Sequence, residues 1–281
     1  VVHASKPSRI ARAAALAAAA ALTSAAQAEP LPRVASINVC ADQHLLALAD
    51  AEQILTVSWL AADPEESLFA REAARHRLNY GTAEELLELE PDVVLAGAYT
   101  APYTRAMLRR LGYRVIELAP ENSVADIERN VRLVAEAVGQ PGRGERLAAR
   151  LRDDVRALEA NRPAVRLAAV VVRPGGFTVG ADTLAHELLA LAGLRNVAAE
   201  QGLDRWGSLS MEALVRSSPE LVVLTGYRSA QPSLANAVLE HPALARLGAT
   251  RRTVTVPAAL WSCGLPASLE AAAILQRAAR E

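Results

Sequence analysis

Two patterns of apolar and polar positions alternate along this chain. Short apolar runs, "RVASI" (33–37), "QILTVS" (53–58), "PDVVLAG" (91–97) and "YRVIEL" (113–118), predict strands. Between them, "ADQHLLALAD" (41–50), "TAEELLELE" (82–90) and "TRAMLRRLG" (104–112) carry helical spacing, the last with Gly112 as its stop. Strands alternating with helices predict parallel β-α units. The near-continuous apolar character of the strands predicts a sheet covered on both faces.

A long helical stretch follows over 124–159, interrupted near "GQPGRG" (139–144). In its second half Leu147, Leu151, Val155 and Leu158 share one face, and Arg146, Arg150, Asp153, Arg156 and Glu159 occupy the rest. A charged helix with one narrow apolar stripe predicts a connector lying along two lobes. The β-α pattern then restarts, with strands at 165–172, 219–226 and 252–257 and helices at 183–193, 210–218 and 266–279. An internal echo supports two similar lobes: "EELLELEPDVVLAG" (84–97) resembles "EALVRSSPELVVLTG" (212–226). Glu84 stands seven residues before Pro91, and Glu212 seven before Pro219. The expected organisation is a leader at 1–28, a first α/β lobe at 29–140, a connecting helix at 141–162 and a second α/β lobe at 163–281.

The leader is read from Lys6, Arg9 and Arg12, an apolar run over 13–22, and "AQA" at 26–28. A basic start, a short apolar core and small residues before the cut describe a secretory signal peptide. Cleavage after Ala28 and a periplasmic location are the expectation. The net charge of -1 offers no basic field for nucleic acid, so no nucleic-acid partner is expected. No "GxSxG" elbow and no phosphate loop occurs, and His3, His44, His76, His186 and His241 are scattered singly. Hence no catalytic residue and no resident metal or cofactor is expected. His44 and His186, on helices, are read as packing or surface residues. An exported two-lobed α/β chain without a catalytic kit points to binding in a cleft between the lobes.

The segments "RVASINVCADQHLLALADAEQILTVS", "YGTAEELLELEPDVVLAG", "WGSLSMEALVRSSPELVVLTG" and "VTVPAALWSCGLPASLEAAAIL" resemble the periplasmic substrate-binding proteins of ABC importers for metal chelates. That family includes cobalamin-, ferric-siderophore- and haem-binding members. The resemblance runs from about Arg33 to Ala279. It implies two Rossmann-like α/β lobes joined by a long rigid helix, with the ligand gripped by loops at the strand C-termini. It implies a monomeric carrier that delivers its chelate to a permease and its ATPase. A corrinoid is placed ahead of a ferric siderophore, with haem third. A bare-metal carrier and an exported cysteine-dependent enzyme are the alternatives.

On that fold the cleft-facing loops of the first lobe carry Asn38, Cys40, Asp42, Trp59, Tyr80, Tyr99 and Tyr103. Those of the second carry Arg173, Phe177, Trp206, Tyr227, Arg228, Trp261 and Cys263. Eight of the chain's ten aromatics fall in this set, as a large flat ligand would require. Trp261 is singled out because relatives that bind cobalamin have a cleft aromatic at the matching position. Arg173 and Arg228 are candidates to pair anionic groups of a ligand. For permease docking the resemblance points to Glu84. On the second lobe Cys263 stands where a cobalamin-binding relative has glutamate, so Glu212, by internal symmetry, or Glu270 is the substitute. The only cysteines, Cys40 and Cys263, would face the same cleft from opposite walls. A disulfide is the default for an exported chain, yet a bridge would staple a cleft that must release cargo. Thiols on a soft metal centre and inert buried thiols stay open beside it.

Overall fold

The computed structural model describes residues 30–226, 234–237, 242 and 252–281. The expected leader at 1–28, and the candidates Tyr227 and Arg228, lie outside the described residues.

Five strands form the first sheet: β1 (Val34–Ser36), β2 (Ile54–Ser58), β3 (Leu78–Asn79), β4 (Val93–Gly97) and β5 (Arg114–Leu118). Their order is β3-β2-β1-β4-β5 and every pairing is parallel. Alternate residues serve two cores. Val34, Val93 and Leu95 pack with Leu45 of helix α1 (Val39–Leu48), while Ala35, Val94 and Ala96 pack on the other face with Leu86 and Leu108. The latter two come from α2 (Ala83–Leu87) and α3 (Pro102–Arg110). Burial on both faces explains why these strands read as unbroken apolar runs.

The second sheet contains β6 (Ala168–Val172), β8 (Arg195–Asn196), β10 (Leu221–Leu224) and β11 (Arg252–Thr255), in the order β11-β10-β6-β8 and again parallel. Ala169, Val171, Leu221 and Val223 face one core; Ala168, Val170, Val172 and Val222 face the other. Helix α6 (Leu184–Leu191) covers the first face through Leu188 and α7 (Met211–Arg216) covers the second through Leu214. A separate antiparallel pair, β7 (Phe177–Val179) with β9 (Trp206–Ser208), was not foreseen from the sequence.

The predicted helical stretch divides, as expected, into α4 (Val124–Ala137) and α5 (Pro141–Ala160). The division has a local cause: Gly139 adopts φ 74°, and Pro141 opens α5. The chain passes to the second sheet through α5, against which α4 packs. Helix α4 sends Ile127 and Val131 into the second core, and Val134, Ala135 and Ala137 into the first. From α5, Leu151 and Leu158 enter the second core and Leu147 packs against both. Gly144 lets the helices touch, since a Cβ there would overlap that of Ala135. Arg132 then pairs with Glu128 and Glu145 at 2.6 Å each. The last helix, α8 (Leu269–Arg280), returns to the second core through Leu275.

The internal echo has a structural counterpart. Glu90 and Ser218, each followed by proline, both take φ 47°. Asp92 accepts a hydrogen bond from the Arg33 amide at 2.7 Å beside β1, and Glu220 accepts one from the Ala168 amide at 2.9 Å beside β6. In both halves the same helix–proline–strand hinge is tied by a carboxylate to the first strand of its sheet.

Candidate functional site

Strand order reverses around β1 and β4 in the first sheet and around β6 and β10 in the second. The loops at the C-terminal ends of such strands diverge and leave a crevice. Asn38 fixes the first of these openings. Its Oδ1 accepts the amides of Cys40 and Ala41 at 3.1 Å, capping α1, while its Nδ2 donates to Thr100 Oγ1 at 2.8 Å across the β4 loop. Gly97 is required beneath this bond, because a Cβ there would lie 2.8 Å from Asn38 Nδ2.

A cavity of about 250 Å³ opens at this point. Asn38, Cys40, Tyr99 and Thr100 line it from the first lobe, as do Glu121 and Asn122 after β5. Trp206, Trp261 and Ser262 line it from the second. Cys40, which lines it, is bonded across the lobes: Cys40 and Cys263 form a disulfide, with Cα atoms 5.1 Å apart and a sequence separation of 223. The structure thus resolves the three readings of the cysteines. The bridge exists, and the metal-thiolate and inert-thiol readings fall with it. No thiolate remains free as the nucleophile of a cysteine-dependent enzyme.

The aromatic candidates separate by depth. Trp261 lines the cavity but is 8% exposed, packed into the second core, and donates its Nε1–H to Thr225 Oγ1 at 3.2 Å. On the first lobe the rings of Trp59 and Tyr80 lie 6.3 Å apart, tilted by 31°; both are exposed and neither lines the cavity. Tyr99 and Tyr103 are more exposed still, and of the two only Tyr99 borders the cavity. On the second lobe Arg173, Phe177 and Trp206 share a groove, with the Arg173 guanidinium 5.0 Å from the Trp206 ring centroid. Burial lowers the pKa of Arg173, and the Glu66 carboxylate from the first lobe pulls it the other way.

Asp42 requires a correction. It does not face the cleft but is fully buried, its Oδ2 accepting the Ser58 amide at 3.2 Å and the Ser58 hydroxyl. It sits in the first turn of α1, and the helix turns that side chain back onto the end of β2. Burial raises its carboxyl to a pKa of about 6, against the opposing pull of the hydrogen bonds.

Glu84 and Glu212 occupy equivalent places, both exposed in the first turn of a short helix. The N-caps are Thr82, which accepts from the Glu85 amide at 3.4 Å, and Ser210, which accepts from the Ala213 amide at 3.1 Å. Sequence reasoning missed Thr100, Glu121 and Asn122. The last two follow β5 directly, and the strand-end rule applied to that strand would have found them. His44 is 1% exposed and bonds Glu121, which fits the packing role expected of it.

Known proteins share this fold. Periplasmic heme-binding protein RhuT from Roseiflexus sp. RS-1, in apo form, superposes with a TM-score of 0.73 at 25% identity, covering 88% of this chain and 98% of that one. HutB of Vibrio cholerae, described as a periplasmic heme-binding protein, superposes at 0.76 and 21% identity over 89% and 99% of the two chains, a likeness of fold alone. A cobalamin-binding protein of Halobacterium salinarum is 24% identical over 195 residues, 68% of this chain and 53% of that one. The chain spans about half the length of the curated relatives it matches. The sequence profile described as "Periplasmic binding protein" matches residues 34–254, and with two parallel α/β lobes and a crevice at their switch points, the chain belongs to that family.

Proposed function

We propose that this protein is the substrate-binding component of an ABC importer. The leader at 1–28 exports it to the periplasm, where it captures a flat metal chelate as a monomer and hands it to a permease driven by its ATPase. No covalent chemistry is involved. The observation that supports this reading is the crevice at the switch points, where exposed Tyr99 from one lobe and Trp206 from the other line the cavity and Phe177 shares the adjoining groove with Trp206. Exposed rings offer faces to a macrocycle or an aromatic chelate, and burying them on binding removes apolar area from water. At about 250 Å³ the cavity lies below the usual range for drug-sized ligands. A macrocycle therefore rests largely on the rim, with one edge in the cavity. A corrinoid is the favoured ligand. Haem is the second reading, supported by the Arg173 guanidinium at the rim, which suits a propionate. Glu84 and Glu212, exposed at equivalent places on the two lobes, are the proposed permease contacts.

The test is a thermal-shift series on the mature oxidised protein with cobalamin, cobinamide, haem and a ferric hydroxamate. A ligand at a hundred times its Kd adds about 2.7 kcal/mol to stability. The expected result is a dose-dependent rise in Tm with a corrinoid, accompanied by quenching of Trp59 and Trp206 fluorescence. Flat curves for all four would overturn the reading.

A further inference from the structure

Glu121 is the one charged side chain among the described residues lining the cavity; no lysine, arginine or histidine joins it. It follows β5, and its side chain is 6% exposed. Gly264, next to the bridged Cys263, packs so closely against it that a Cβ there would overlap Glu121 Cβ. The Glu121 Oε1 atom receives His44 Nε2 at 3.2 Å, and Asn130 Nδ2 as well. A carboxylate only accepts, so both partners donate. The second oxygen, Oε2, has no hydrogen-bond partner among the described residues. Oε2 is not closed off: it keeps some exposure in a side chain that lines the cavity, so a donor entering the cavity can reach it.

We infer that Glu121 selects the ligand by the chemistry of its edge: a ring bearing N–H donors, such as primary amides, is accepted, and the same ring bearing carboxylates is rejected. This rests on the chelate-carrier reading and narrows its ligand to an amide-edged corrinoid. An amide donates to Oε2 and satisfies it. A carboxylate edge brings like charge to a carboxylate whose one basic neighbour, His44, is already engaged at Oε1 and does not line the cavity, which is how a site discriminates against a near-isostere. Haem, whose edge is carboxylate, falls on the rejected side, since Arg173, stacked on Trp206, does not line the cavity with Glu121.

The experiment is titration calorimetry of the mature oxidised protein with three forms of one corrin ring. Cobinamide carries amides, cobyrinic acid carries carboxylates, and the heptamethyl ester is neutral without donors. Wild type is expected to bind cobinamide at least about tenfold more tightly than either of the others, the scale of one charge-assisted hydrogen bond. Glu121→Gln, which is neutral and brings a donor of its own, is expected to shrink the cobinamide-to-cobyrinic-acid ratio at least about fivefold. A purely structural role would weaken all three together and leave the ratio unchanged, and that result overturns the inference. Should Glu121→Gln fail to fold, equal wild-type affinity for cobinamide and the ester overturns it as well. If the corrins bind without distinction, the selection by Glu121 falls and the carrier stands. If none of them binds while haem or a ferric hydroxamate does, the corrinoid reading falls and the inference with it.

Discussion

Asp42 is buried without a cation, and that has a measurable consequence. Its folded pKa of about 6 lies above the ordinary 3.8. Between those values the native state binds more protons than the unfolded chain, so stability falls as pH rises through that window and is flat above it. Ionisation at neutral pH therefore opposes folding by up to about 3 kcal/mol, since each tenfold change in proton affinity is worth about 1.4 kcal/mol. Asp42→Asn keeps an acceptor for Ser58 and removes the charge. We expect the variant to gain stability relative to wild type between about pH 4 and pH 7, measured by urea denaturation at each pH; a difference that does not change with pH would refute the assignment. The sequence placed Asp42 one turn past a strand end but could not say which way it points. That depends on how α1 is rotated against β2, which is settled by the packing of Leu45 and Leu48 in the first core.

At the scale of elements, the repeated helix–proline–strand hinge is both the most legible feature and a strained one. Glu90 and Ser218 hold left-handed backbone that favours glycine. Ser218→Gly is expected to raise stability by about 0.5–1 kcal/mol, the relief of strain outweighing the added freedom of the unfolded chain. Ser218→Val, β-branched at the same φ, is expected to lower it by about 1–2 kcal/mol. Opposite signs in guanidinium denaturation would check this, and two changes of the same sign would exclude it. Long strands and helices were readable because period and burial agree over many residues. The short β3, β8 and the β7–β9 pair were not: two or three residues carry no period, and their pairing partners lie far away in sequence.

For the whole molecule the decisive bond is Cys40–Cys263. It closes a loop of more than two hundred residues and ties the N-terminus of α1 to the segment after β11. Closing so long a loop restricts the unfolded chain, an effect of about 5 kcal/mol in the chain-entropy account. The Cys40→Ser, Cys263→Ser double variant, or the reduced wild type, is expected to lose stability on that scale in calorimetry, whereas an unchanged Tm would contradict it. Two lobes bridged by α4 and α5 and also by a disulfide suit small rocking motions more than wide hinge opening.

By itself the sequence determined the alternation of strands and helices, the two lobes, the break in the long helical stretch and the set of aromatic candidates. Each of these is written in local periodicity or in residue type, and local signals survive without coordinates. Tertiary structure decided the pairing of the two cysteines, the burial of Asp42 and most of Trp261, and the meeting of Glu121 with His44 and Asn130. Those outcomes depend on the order of strands in each sheet and on how one lobe is set against the other. They follow from which surfaces pack together, across separations that run from nine residues for Glu121 and Asn130 to 223 for the two cysteines, and periodicity along the chain records none of these meetings.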